Sequence, residues 1–270
     1  MTATDSRPRT LRDKLRRRLL TSMLGLIDNR RYWLRGVDVT PPQATTSSSP
    51  GPYYIPDPPR RRDIREDRDG IPLFLRIRVV DARTLAPVTA AQVEVWHCDA
   101  FGVYSGYQRY DADKFPAVAS LLARRFRPTD SARFLRGQQT TDDDGTVKFD
   151  TIVPGWYTPR TPHIHARVIQ DARTALTTEL YFPDGFSAAV QDLPPYNRRG
   201  RSPFVNHHDI EIRLAKGSPG SWPAISDTGN GYRADSTLHV TPQSHGDRRP
   251  PSPRLSTLRA TAEELREGTR

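Results

Sequence analysis

Along much of the chain apolar residues recur at every second position, in short runs broken by proline, glycine and aspartate. Six such runs read as strands: Leu73 to Asp81, Gln92 to Asp99, Thr146 to Ile152, His163 to Gln170, Thr177 to Phe182 and Asp209 to Leu214. In the fourth, His163, His165 and Arg167 alternate with Ile164, Ala166 and Val168, so the two histidines project from one face of a half-buried strand. Asp143-Asp144-Gly145, just before Thr146, is a hairpin-type turn signal, because glycine tolerates positive φ. Together with 25 prolines and 17 glycines, these short strands predict an all-β sandwich over residues 71 to 215.

The period changes outside that block. Leucine or methionine at 11, 15, 19, 23 and 26 forms a helical stripe from Leu11 to Ile27 among many arginines, so residues 1 to 36 read as a basic amphipathic arm. Residues 37 to 70 include a stretch rich in proline, serine and threonine, Thr40 to Pro59, which cannot pair as a central strand and is expected to wrap the core. A longer insert between Tyr110 and Arg136 has a short helical reading at Ala117 to Phe126. After Lys216 the composition turns to small and polar residues, so residues 216 to 270 are expected to be a disordered tail, with a brief helix at Ala260 to Arg266.

The formal net charge of +10 suggests a nucleic-acid partner until it is divided by position. Residues 1 to 36 hold 10 basic and 3 acidic side chains, residues 37 to 215 hold 23 and 22, and residues 216 to 270 hold 8 and 6. The basicity belongs to the N-terminal arm, and the core shows no basic-aromatic pattern for base or phosphate recognition. No run of 18 apolar residues is present, so no transmembrane segment is expected. Arg16-Arg17-Arg18 before Leu19 faintly resembles a twin-arginine export signal, but the apolar stretch is short and ends in charges. A cytoplasmic location is the expectation, and a homodimer formed through the basic arm is one assembly that it allows. Cys98, the single cysteine, excludes an intrachain disulfide and reads as a small buried apolar residue.

Candidate chemistry is concentrated in Phe149 to Val168, where Tyr157, Arg160, His163 and His165 fall within nine residues. Two imidazoles on one strand face can hold a cation between them, although an H-x-H pair is as readily two polar residues on a solvated face. A second stretch, Val93 to Tyr107, runs from a strand into a glycine-bounded turn that presents Tyr104; alone, Tyr104 and Tyr107 read as aromatics packed at a strand end. Trp96 and Trp156 read as packing residues, and His97 as a satisfied structural histidine.

Taken together, VEVWHCDAFGVYSGY at 93 to 107 and PGWYTPRTPHIH at 154 to 165 closely resemble the intradiol ring-cleavage dioxygenases. The resemblance is to the short branch that lacks the long helical domain of catechol 1,2-dioxygenases, and GPYY at Gly51 to Tyr54 and DIRE at Asp63 to Glu66 fit the same branch. It covers roughly residues 50 to 215 and implies a transthyretin-like β-sandwich. It also implies a ferric ion held by Tyr104, Tyr157, His163 and His165. Two phenolates and two imidazoles suit this hard cation. The implied reaction takes a catecholic substrate and O2, opens the ring between the hydroxylated carbons and gives a muconate-type dicarboxylic acid. Tyr157 is then the ligand displaced by substrate, and Arg160 a fixed positive charge that stabilises the electron-rich ring. One position departs from the family: Glu179 stands where a glutamine is usual, and a carboxylate cannot donate the amide hydrogen bond. Glu179 is expected to be protonated or paired, with Arg160 as the candidate partner. Two other readings fit the same residues. One is a transthyretin-like catechol or iron binder with little or no turnover; the other is a zinc or copper sandwich protein in which the tyrosines are incidental.

Overall fold

A computed structural model describes residues 44–110, 113, 126–214 and 220–241. The described chain forms strands β1 (Pro72–Asp81), β2 (Gln92–Trp96), β3 (Arg136–Thr140), β4 (Thr146–Ile152), β5 (His163–Gln170) and β6 (Arg173–Tyr181). Helices α1 (Asp184–Gln191) and α2 (Ile210–Leu214) follow, and then β7 (Ala224–Asp227) and β8 (Tyr232–Val240). They build two four-stranded sheets, β4-β1-β8-β7 and β3-β2-β5-β6, with every named pair antiparallel except β1 and β8.

The core between the sheets is the sum of the inward rows. Leu73, Leu75, Ile77 and Val79 of β1, Val147 and Phe149 of β4, and Ala234 and Leu238 of β8 meet Val93 and Val95 of β2 and Ile164, Ala166 and Val168 of β5. Burying a branched aliphatic or aromatic side chain stabilises by about 1.5–3 kcal/mol each, and this row supplies the main driving force. Because Ile164 and Ala166 point inward, His163 and His165 must point to the outer face of their sheet. That face is covered as well. Tyr53, Tyr54, Trp96, Cys98, Tyr104, Tyr107 and Tyr157 form a second buried cluster on it.

The β-sandwich agrees with the sequence pattern, but β3 lies outside all six predicted runs, β6 starts at Arg173 and not at Thr177, and three further features depart from the pattern. The run from Asp209 to Leu214 is helical at Ile210–Leu214, because the Asp209 carboxylate accepts the Glu211 amide at 3.0 Å and caps the turn. The expected disordered tail begins too early: β8 lies between β1 and β7 in its sheet, parallel to β1 from Leu73 opposite Tyr232 to Asp81 opposite Val240. Its inward row is Tyr232, Ala234, Ser236, Leu238 and Val240, and the two small residues in its middle blur the apolar signal. Third, the Asp143-Asp144-Gly145 turn, with Gly145 at φ 71°, joins β3 and β4, which belong to different sheets.

The proline-rich stretch lies along the sandwich without being a strand. Thr45 N donates to His239 O and Ser48 N to Thr177 O, both at 2.8 Å, and Gln138 N donates to Pro59 O at 3.0 Å. The predicted helices at Leu11 to Ile27 and Ala260 to Arg266, and that at Ala117 to Phe126 apart from Phe126 itself, fall outside the described residues.

Candidate metal centre

Four of the residues singled out from sequence meet at one point on the outer face of the β3-β2-β5-β6 sheet. His163 Nε2 lies 3.2 Å from His165 Nε2, 3.5 Å from the Tyr104 hydroxyl and 3.5 Å from the Tyr157 hydroxyl. All four side chains are buried, none more than 5% exposed. The histidines come from β5, and each tyrosine from a loop that leaves a strand.

Those loops are shaped by backbone chemistry. After β2, Asp99 Oδ1 accepts the amides of Phe101 and Val103 at 2.9 and 3.0 Å, and the Asp99 amide donates to Val103 O, which folds the tight turn that presents Tyr104. Gly102 sits at φ 83°, and a Cβ there would be 2.4 Å from Trp156 O, so only glycine lets this turn meet the Tyr157 loop. Arg136, fully buried on β3, holds the next residue through Ser105 Oγ and Ser105 O at 2.8 and 2.9 Å. Tyr157 sits on a second turn, closed by Arg160 N donating to Tyr157 O at 2.5 Å. Tyr53 covers both tyrosines, stacked on Tyr104 at 4.5 Å and edge-on to Tyr157 at 6.0 Å.

Burial, reinforced by the neighbouring phenol, pushes the Tyr104 hydroxyl far above the ordinary tyrosine range. Burial does the same to Tyr157, against the opposing charge of Arg160. Neither phenol ionises here unaided. Burial also lowers the pKa of both histidines, His165 the more, so both imidazoles are neutral. His163 Nδ1 lies 2.7 Å from Thr161 O and therefore carries the ring proton, which leaves the Nε2 lone pair facing the centre.

Arg160 is close by and held by two carboxylates. Its Nη2 donates to Glu179 Oε2 at 2.7 Å and to the Tyr181 hydroxyl at 3.2 Å, and its Nε donates to Asp209 Oδ2 at 2.8 Å. Tyr181 in turn donates to Glu179 Oε2. Glu179 is thus paired with Arg160. Burial pushes its carboxyl up, but the Arg160 guanidinium beside it outweighs burial and holds it below the ordinary glutamate range. Glu179 Oε1 and His165 Nδ1 are both buried without a hydrogen-bond partner, although they are only 3.3 Å apart. One donor atom each from His163, His165 and Glu179 fits within 4.8 Å. The donor set and these orphaned atoms suit a cation bound among them: uncharged imidazoles, phenols that only a metal would ionise, and an unsatisfied carboxylate oxygen.

Sequence reading missed Asp209, Tyr181 and the part played by Trp96. Tyr181 had a signal, since it lies two residues beyond Glu179 and on the same strand face. Trp96 does more than pack the core: its indole lies 4.9 Å from the His165 ring at an interplanar angle of 3°. Asp209 had none, because its partners are 48 and 49 residues away. His97 is structural, with Nδ1 on Cys98 O at 2.8 Å and Nε2 on Thr151 Oγ1 at 2.7 Å, and burial lowers its pKa to about 4. Cys98 is buried and free, while His207 and His208 lie exposed in a 3-10 turn.

The fold and this centre define a ring-cleaving dioxygenase scaffold, and comparison with known proteins agrees. A family model described as Dioxygenase matches residues 49–193, over half of the chain, and the chain belongs to the intradiol ring-cleavage dioxygenase family. An intradiol ring-cleavage dioxygenase from Tetranychus urticae superposes with a TM-score of 0.67 at 31% identity, covering 76% of this chain and 98% of that one. The catechol 1,2-dioxygenase of Candida albicans is 28% identical over 51% of this chain and 46% of its own length. The chlorocatechol 1,2-dioxygenase of Pseudomonas sp. strain P51 is 29% identical over 53% of this chain and 59% of its own. The chain thus spans about half the length of these curated relatives. Among the described residues no helix is long and apolar enough to cross a membrane.

Proposed function

We propose that this protein is an iron(III) intradiol dioxygenase that opens the ring of a catecholic substrate with O2, with Tyr104, Tyr157, His163 and His165 as the metal ligands. The observation that carries this reading is the convergence of two tyrosine hydroxyls, each 3.5 Å from His163 Nε2, beside the His163–His165 pair in a buried site. The relatives' names support the substrate class: one acts on catechol and another on chlorocatechol. When bound, iron(III) supplies the Lewis acidity that draws off the catechol protons and couples the ring electronically to dioxygen.

The protein groups have separable tasks. Tyr104 is pinned through Ser105 and Arg136 and would be a permanent ligand. Tyr157 stands on a tight turn and would be the ligand that gives way to substrate. Once free, its hydroxyl holds a proton firmly because burial favours the neutral phenol, so the Tyr157 oxygen receives a proton that the catechol gives up. Arg160 keeps a charge beside the ring, but one balanced by Glu179 and Asp209. Its contribution is therefore an aligned N–H dipole and an ordered wall more than a net positive charge. The Tyr53 and Trp96 rings exclude water from the centre.

That balanced charge is the one observation favouring a binding protein with weak turnover. Oxygen uptake by the iron-loaded full chain, measured over a panel of substituted catechols, decides between the two. Uptake equal to ring-opened product supports the enzyme. Tight catechol binding with no oxygen consumed supports the binder.

A further inference from the structure

The two imidazoles at the centre are held differently at their outer nitrogens. His163 Nδ1 sits on the neutral carbonyl of Thr161 at 2.7 Å, whereas His165 Nδ1 has no carbonyl and faces Glu179 Oε1 at 3.3 Å. Strand register produces this. Arg136, Trp96, His165 and Glu179 are directly opposite one another across β3, β2, β5 and β6, so they form one continuous cross-strand row. Trp96 lies flat against the His165 ring, and Glu179 is paired with His165 from the neighbouring strand on the other side, β6.

The two oxygens of Glu179 are not equivalent. Oε2 accepts from Arg160 and Tyr181, and Arg160 is fixed in turn by Asp209. Oε1 is buried and accepts nothing. A buried anionic oxygen without a donor is costly, and the nearest group able to supply one is His165 Nδ1, itself without an acceptor. A neutral imidazole that turns its Nε2 lone pair toward a cation must carry its proton on Nδ1. Ligation therefore creates the donor that Oε1 lacks. In the structure the pair is within reach but off the line of a hydrogen bond.

We propose that Glu179 is a positioning residue for His165: in the metal-loaded protein His165 Nδ1–H donates to Glu179 Oε1, which makes His165 the more strongly donating imidazole and favours iron(III) over iron(II). A carboxylate behind a ligating histidine fixes its tautomer and raises its basicity, and losing such a partner typically costs about 10–100-fold in metal affinity. The inference rests on the iron reading above and gives a reason for an acid at this position: the glutamine that the family resemblance leads one to expect would offer His165 only a neutral amide oxygen.

The test uses the full-length protein loaded either with iron(III) or with gallium(III), a diamagnetic trivalent ion that does not change oxidation state. In the gallium form of the unaltered protein, the His165 Nδ1 proton should resonate further downfield than that of His163. In Glu179→Gln it should move back upfield, while iron(III) binding weakens by about 10–100-fold, the midpoint potential shifts positive and the tyrosinate-to-iron band moves to longer wavelength. Asp209→Asn removes a charge from the same cluster without facing His165, so it should leave the His165 proton in place and shift the potential less. The proposal fails if the two histidine protons are alike in the unaltered protein, or if Asp209→Asn moves the potential as far as Glu179→Gln. Should the protein bind neither ion, the iron reading itself fails and this inference falls with it. The gallium spectrum of the unaltered protein needs no variant to fold.

Discussion

The two sheets have strands of similar length and opposite contents. In β4-β1-β8-β7, strand β1 buries Leu73, Leu75, Ile77 and Val79 and exposes Arg76 and Arg78, so one face is core and the other is wet. In β3-β2-β5-β6, strand β5 buries His163 and His165 as fully as Ile164 and Ala166. Its polar face is dry because the Tyr53, Tyr104 and Tyr157 loops lie over it. Both sheets contribute inward rows to the core, but the second also buries a polar outer face, where Glu179 is held by Arg160 while its Oε1 and His165 Nδ1 have no partner.

Experiments can break this contrast, and the largest effect should come from the first sheet. Deleting residues 217 to 270 removes β7 and β8 and leaves β1 without its parallel neighbour, and we expect no soluble folded protein, read by circular dichroism and size exclusion. A folded, iron-binding truncation would show that β8 is dispensable. Next, His163→Ala should abolish both iron and visible colour while the sandwich still folds, measured by metal analysis and absorbance. Arg160→Ala leaves Glu179 and Asp209 buried and unpaired, so it should destabilise by about 3–5 kcal/mol in denaturant unfolding. Leu75→Ala in the other sheet should cost a comparable ~2–5 kcal/mol yet leave iron per folded chain unchanged. If Leu75→Ala also lost iron, the two sheets would not be separable. The smallest effect on the resting protein belongs to Tyr157→Phe, which removes one hydroxyl from the proposed centre. It should bind catechol in a difference spectrum and turn over slowly, and full activity would remove Tyr157 from the mechanism.

Legibility followed the same division. Strands β1, β4 and β5 were readable within a residue because a sheet with an apolar row announces its period. Strands β7 and β8 were not, since Ala234 and Ser236 fill inward positions where a small side chain suffices. Asp209 to Leu214 alternates as a strand does, and one side-chain cap converts it to helix. At the site, the metal-ligand candidates were marked by residue type and close spacing, and Glu179 by its departure from a pattern. The expectation of Arg160 as a fixed positive charge with Glu179 as candidate partner left out a second carboxylate, Asp209, which is remote in sequence.

The sequence by itself determined the strand period, the H-x-H face and the glycine-bounded turn that presents Tyr104, because these are set by local sterics and by the geometry of one strand. Tertiary structure alone decided which oxygen of Glu179 is taken and which is free, that Arg160 is neutralised twice, and that Arg136, Trp96, His165 and Glu179 share one row. Those depend on register between strands far apart in the chain, and a shift of one residue would send each of them to the opposite face.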